Sequence, residues 1–387
     1  MSNLKKAAVS VSLITTALLL PVSAFAAVSG YSSNVTLLVN YLKTNQGADG
    51  GITGFGGETS WTIMGLVANG IDPHTVQNSG VSLVDYLKNN QPTTTTGWER
   101  DLLAVTAAGE NPFTFGGHNY VSQVQSTEVS NQLGSTTSIS DDFWGILGLI
   151  SAGPSANQSI ISKSVDFVIA NQNSDGGWSY ATATGSDNAD TGVALQALLA
   201  AKNKGFTNTG LDNAISTGKE YLKDNQNSDG GWGYSGTGNS DADSTPWVVQ
   251  GFLGSNTVIT NGLNFLVSMQ DSSGGVQYQA GSGADTYTSA NALIAFGQKA
   301  FPVGSFDGTY QEPAPQPVAS SSATLVSSPG NSANGKVLSA SVLPNTGPGN
   351  FVYLLSIIFL VSGLIGRTIL ARLENSLVTE GTRNEKV

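Results

Sequence analysis

A nine-residue segment occurs twice in this chain, and the repetition limits what the chain can fold into. Ala170-Asn171-Gln172-Asn173-Ser174-Asp175-Gly176-Gly177-Trp178 returns as Asp224-Asn225-Gln226-Asn227-Ser228-Asp229-Gly230-Gly231-Trp232. Weaker copies run from Asn45-Gln46 to Gly50-Gly51, from Asn90-Gln91 to Gly97-Trp98 and from Met269-Gln270 to Gly274-Gly275. Successive glutamines are 45, 81, 54 and 44 residues apart, and the interval of 81 holds two units, one of them degenerate. Six units of about 45 residues therefore fill residues 27–301, and a fixed period of this length is the mark of a repeat architecture.

Each unit has one grammar. Before the glutamine comes an amphipathic segment; Ala214, Ile215, Gly218, Tyr221 and Leu222 fall on one face at helical spacing. The Asn-Ser-Asp-Gly-Gly turn ends it, because glycine adopts left-handed backbone geometry without a steric penalty. After a polar loop comes a second helix, as at Val193 to Ala201, Trp247 to Leu253 and Ala290 to Gly297. These segments are apolar and small on almost every side, which predicts burial. One exposed and one buried helix, six times over, predicts two concentric rings: an all-α (α/α)6 toroid.

The two ends carry addresses. Lys5 and Lys6 precede an apolar run from Ala7 to Leu20, and Ala24-Phe25-Ala26 follows. These are the parts of a secretory signal peptide, expected over residues 1–26. Residues 302–342 are rich in Pro, Ser, Ala and Gly and read as a disordered spacer. Leu343-Pro344-Asn345-Thr346-Gly347 then precedes an apolar segment, read as a transmembrane span over 350–370, with a cytoplasmic tail over 371–387. This arrangement resembles the cell-wall sorting signal of sortase substrates. The resemblance implies that sortase cuts between Thr346 and Gly347 and joins the threonine to peptidoglycan. The tail mixes Glu374, Glu380 and Glu385 with its basic residues, unlike the short basic tails of that family, so the segment also suits a lasting membrane anchor. Both readings place the bulk of the chain on the extracellular face of a bacterial cell.

Between residues 27 and 342 there are 24 Asp and Glu against 10 Lys and Arg. That balance repels nucleic acid. The chain has no cysteine, which removes disulfides, thiolate metal sites and a cysteine nucleophile.

Lys219-Glu220-Tyr221-Leu222, Gln226 and Gly230-Gly231-Trp232 resemble the QW motif of squalene cyclase and other triterpene cyclases. The protein prenyltransferase β-subunits share that toroid. The resemblance implies structural roles for Gln172, Trp178, Gln226 and Trp232, the glutamine tying neighbouring helix ends and the tryptophan stacking over it. It also implies a test for catalysis. The cyclases protonate an alkene or epoxide with a D-x-D-D-T motif, and this chain has Ser240-Asp241-Ala242-Asp243-Ser244-Thr245. Asp243 would be the acid, with Asp241 beside it, but Ser244 replaces the next aspartate. The prenyltransferase zinc site needs a cysteine, so neither metal nor cofactor is expected.

The same aspartates have a simpler reading. Asp190, Asp243 and Asp285 each stand just ahead of a buried helix, and Asp142 is similarly placed, as helix caps would be. A glycan-cleaving enzyme would need two converging carboxylates, with Glu99, Asp101, Asp141, Asp142 and Asp241 as candidates. Trp61, Trp144 and Trp247 each lie four residues before a glycine, in the first, third and fifth units. In a closed ring they stand at one depth, either gripping a glycan or an apolar small molecule, or filling the core. The reading favoured is a surface-anchored toroid that binds a ligand or partner without catalysis. The alternatives are a cyclase using Asp243 and a glycan-active enzyme.

Overall fold

The computed structural model describes residues 30–54, 56–153, 158–236, 238–252 and 256–306. The signal-peptide, sorting, transmembrane and tail segments lie outside them. Twelve α-helices occur among the described residues, alternating between an outer and an inner layer. The outer ones are α1 (Ser32–Thr44), α3 (Leu83–Asn89), α5 (Tyr120–Gln125), α7 (Gln158–Ala170), α9 (Leu211–Asp224) and α11 (Asn256–Met269). The inner ones are α2 (Glu58–Ala68), α4 (Thr95–Ala107), α6 (Ser140–Ser151), α8 (Asn188–Asn203), α10 (Ser244–Gly251) and α12 (Thr286–Phe296).

Each inner helix packs on the inner helices of the units before and after it, and α12 packs on α2, which closes the ring. Closure is hydrogen-bonded. The Tyr41 hydroxyl donates to the Ala284 carbonyl at 3.0 Å, and the Asn69 amide donates to the Leu293 carbonyl at 2.8 Å. The chain is thus an α/α toroid.

The layers follow from composition. Every residue of α2 is buried, whereas α9 buries Leu211, Ala214, Ile215, Gly218 and Leu222 on one stripe and leaves its charged face to solvent. Close approach between inner helices needs glycine. A Cβ on Gly192 would lie 2.7 Å from the Trp247 carbonyl oxygen, so α8 and α10 touch backbone to backbone. Three two-stranded antiparallel ribbons, absent from the sequence reading, decorate the loops: Gln77–Asn78 with Val81–Ser82, Glu128–Val129 with Gln132–Leu133, and Val276–Gln277 with Ala284–Asp285.

The folded part also runs past the expected boundary at residue 301. After α12 the chain continues as a strap, in which Phe301 and Val303 are buried and Phe306 packs on the core. Among the described residues no helix is long and apolar enough to cross a membrane.

Candidate functional site

Gln172 and Gln226 act on the wall of the ring. The Gln172 side-chain amide donates to the Gly176 carbonyl of its own turn at 2.7 Å and to the Ala214 carbonyl of the next outer helix at 3.0 Å. Gln226 does the same with Gly230 at 2.8 Å and Val258 at 3.2 Å. Gln270 repeats the pattern, and Gln46 makes the same turn bond but reaches the Val76 carbonyl ahead of α3. The Trp178 and Trp232 indoles are fully buried; each donates to a carbonyl of its own outer helix, Val168 at 2.8 Å and Leu222 at 2.7 Å. The next outer helix crosses the Trp178 ring at Gly218, where a Cβ would come within 2.7 Å of it.

Trp61, Trp144 and Trp247 come from α2, α6 and α10, alternate members of the inner ring. Their ring centroids are 5.1, 5.2 and 5.5 Å apart, so the three meet at the axis. In place of a ligand, each ring meets the other two. Phe301 of the strap touches all three, at 5.9 to 6.1 Å, and its backbone amide donates to Gln196 Oε1 at 3.1 Å. The tryptophans are 6 to 8% exposed and Phe301 2%. Such an aromatic cluster is held by area burial and edge-to-face geometry. Sequence reasoning did not anticipate Phe301, because it lies beyond the last repeat and no period announces it.

The aspartates divide in an unexpected way. Asp241 and not Asp243 satisfies the start of α10: its Oδ1 accepts from the amides of Ser244 at 2.6 Å and Asp243 at 3.1 Å. Asp243 instead accepts from the Thr288 hydroxyl of α12 at 2.6 Å. Likewise Asp187, not Asp190, caps α8, accepting from the Asp190 amide at 2.8 Å. Asp285 does cap α12, through the Thr288 amide at 2.8 Å. Asp142 reaches sideways to the Leu133 amide at 3.0 Å and caps nothing. The signal for the true caps is the capping spacing itself, an aspartate three residues ahead of Asp190, Ser244 and Thr288.

What remains open is the mouth at the N-terminal ends of the inner helices. Asp190, Asp243, Tyr287 and Arg100 are partly exposed there. Burial, then Asp243, raises the Tyr287 phenol above its ordinary range; Glu58 adds to the shift and Arg100 opposes it, so one hydroxyl senses three other inner helices. The Arg100 guanidinium lies over Gly57, where a Cβ would stand 2.6 Å from it, and donates to Asp101 at 3.1 Å. Asp190 is pushed well up by burial and by Asp187. Two tyrosines stand on the rim, Tyr180 at 54% and Tyr234 at 51% exposure. Their backbone carbonyls accept from the first residues of the preceding unit's inner segment: Tyr180 from Ile139 and Ser140 at 2.8 and 3.1 Å, Tyr234 from Asn188 at 2.9 Å. The sequence reading missed them, although Trp178-Ser179-Tyr180 and Trp232-Gly233-Tyr234 share one spacing.

The glycan-enzyme candidates are not on this mouth as an opposed pair. Glu99 and Asp142 are fully buried between α4 and α6, with Asp141 beside them, and Asp101 is tied to Ser60 at 2.6 Å and Arg100.

No family model matches this sequence, and no curated protein matches it. Solved structures do. A possible member of the GH105 family from Salmonella enterica is 10% identical, with a TM-score of 0.50 over 69% of this chain and 92% of that one. A type II terpene cyclase from Scytonema is 12% identical, at 0.49 over 70% and 97%. An ent-copalyl diphosphate synthase from Streptomyces platensis is 17% identical, at 0.45 over 62% and 50%, so this chain spans half the length of that enzyme. At such identities the likeness is one of fold.

Proposed function

We propose that this chain is a cell-surface-anchored toroid that binds an extracellular ligand or partner at its mouth and catalyses no reaction. The filled axis carries the reading. A cyclase must enclose an isoprenoid chain inside its ring, and here three tryptophans and Phe301 occupy that depth. The carboxylates that would serve as acid are also engaged, Asp241 by helix amides and Asp243 by Thr288. Binding is left to the rim, where exposed phenols flank partly exposed carboxyls. The kinship with squalene-cyclase-type repeats is supported by Gln172, Gln226 and Gln270, each bonded to its own turn and to the next outer helix, and by Gln46, which makes the same turn bond. Residues 1–26 direct export. Sortase recognises Leu343 to Gly347 and links the chain to peptidoglycan, or the span at 350–370 holds it in the membrane.

The test is turnover. The purified full-length chain is incubated with squalene, with its epoxide and with a panel of polysaccharides, and products are sought by mass spectrometry. No product is expected. A product that disappears in Asp243→Asn or Asp190→Asn would overturn the proposal.

A further inference from the structure

On the periphery of the ring, a cavity of about 660 Å³ opens between the turn of the fourth unit and α9 of the fifth. Its chemistry is specific. Glu220 and Asp224 supply carboxylates, Asp175 a third whose Oδ1 already accepts from the Gly177 amide and the Ser186 hydroxyl, Asn213 and Asn225 supply amides, and Tyr221 supplies a ring and a hydroxyl.

The Tyr221 ring occupies a repeated position. In three other turns an aromatic ring of the next outer helix covers the second glycine: Tyr86 over Gly51, Phe265 over Gly231 and Tyr41 over Gly275, where a Cβ would meet the ring at 2.5 to 2.8 Å. Tyr221 holds the same place in α9, five residues before Gln226, that Tyr86, Phe265 and Tyr41 hold before Gln91, Gln270 and Gln46. Tyr41 donates its hydroxyl to Ala284, whereas among the described residues the Tyr221 hydroxyl has no hydrogen-bond partner. Burial, then Asp175 and Asp187, pushes that phenol up to about 12, so it remains a donor at any physiological pH. Among the described residues Glu220 and Asp224 likewise have no partner in the protein.

We infer that this groove is a glycan-binding site for an uncharged, hydroxyl-rich oligosaccharide. Sugar hydroxyls both donate and accept, which matches a lining of carboxylate acceptors, amide donors and one phenol. An aromatic face beside such groups suits the apolar face of a pyranose ring. The three carboxylates exclude acidic sugars and phosphate-bearing polymers. An ammonium ion only donates, and would leave the amide and phenol N–H and O–H groups unmatched. Among the described residues no group of three or more acidic or histidine side chains is placed to hold a metal. The volume lies within the range of small-ligand sites, about 300 to 1,000 Å³. The inference does not depend on the mouth: loss of rim binding leaves it standing.

The experiment uses the purified full-length chain and three neutral probes, chitotriose, cellotriose and maltotriose, each followed by saturation-transfer NMR and titration calorimetry. At least one is expected to bind. The double substitution Glu220→Gln with Asp224→Asn is expected to weaken it at least about tenfold, and Tyr221→Phe about threefold. Glu220 and Asp224 face solvent and Tyr221→Phe keeps the ring on the core, so the fold is retained, and circular dichroism checks it. Absence of transfer from all three probes at about 10 mM, or affinity unchanged in the double variant, would overturn the inference. Binding of trilysine in place of the sugars would overturn it too, since the groove would then be a cation site.

Discussion

The third and fifth units solve one structural problem with opposite chemistry. Where the turn meets the inner helix, a backbone amide must find an acceptor. In the fifth unit Trp232 donates to the Thr245 hydroxyl at 3.0 Å, and the fourth, sixth and first units use Thr191, Ser289 and Thr59 in the same way. In the third unit the Leu133 amide donates to the carboxyl of Asp142. Glu99 lies beside it, fully buried and, among the described residues, without a hydrogen-bond partner on either oxygen. A hydroxyl keeps the same charge at every pH. A buried carboxyl does not, and burial raises Asp142 to about 7 and Glu99 well above the usual carboxylate range, Asp141 and Asp142 adding to the latter. Of the five units compared, four make this bond with a neutral hydroxyl and one with a carboxyl that titrates.

The largest effect tests how much of the fifth unit rests on its tryptophan. Trp232→Ala removes a fully buried indole and its bond to Leu222, and is expected to cost about 3 to 5 kcal/mol by urea denaturation. Leu133→Ala, at the matching place in the third unit, is expected to cost about 2 to 5 kcal/mol. Equal losses would break the comparison, because the tryptophan's extra hydrogen bond would then count for nothing.

Next comes pH. Asp142 and Glu99 have folded-state values raised above their unfolded ones of about 3.9 and 4.3, so the native state holds their protons more tightly. The stability this confers is complete below those unfolded values and is lost as pH rises through the folded ones. Denaturation midpoints are accordingly expected to fall between pH 5 and pH 8. Asp142→Thr installs the hydroxyl used by the other units and is expected to flatten that slope. Glu99→Gln, which leaves a neutral side chain of the same shape, is expected to remove that residue's share of the slope. A slope unchanged in both variants would show that this seam is not where the ring senses protons.

Much of this was legible beforehand and some could not be. The hairpin count follows from the glutamine spacing, because a period of apolar stripes can be satisfied only by neighbours of the same kind. The cap at Asp285 was legible, and two others were misplaced by two or three residues: an aspartate ahead of a helix looks alike in sequence whether it caps, as Asp187 and Asp241 do, or turns to a neighbouring helix, as Asp243 does. The tryptophan trio was visible in its register, but its filling depends on Phe301, which arrives from outside the repeats. Glu99 could not be read as buried, since nothing in its neighbourhood of charged residues signals a dry contact with Gly145.

A smaller effect sharpens the seam itself. Thr245→Val keeps the shape of the side chain and strands the Trp232 amide, at about 1 to 3 kcal/mol, equal at pH 5 and pH 8. A pH-dependent loss there would mean that Asp241, whose own carboxyl is raised by burial against the pull of the Ser244 amide, shares the load.

The smallest effect on stability is expected at the rim, and there it separates binding from folding. The fifth unit carries Tyr234 two residues after Trp232, and the third carries Ser135 two residues after Leu133. Tyr234→Ser makes the fifth rim like the third. The ring is half exposed and its backbone bond to Asn188 survives the change, but the phenol's contact with the Asp187 cap is lost, so the midpoint should move by no more than about 1 kcal/mol. Removing Tyr180 as well, by Tyr180→Ser, should be as mild, while adhesion of cells displaying the doubly substituted chain to host-cell and matrix-coated surfaces should fall at least about tenfold against cells displaying the native chain. If adhesion survives both changes, the rim phenols are ordinary exposed aromatics, and binding must be sought on the outer wall, where the groove beside Tyr221 offers the hydrogen-bonding groups that a bare rim lacks.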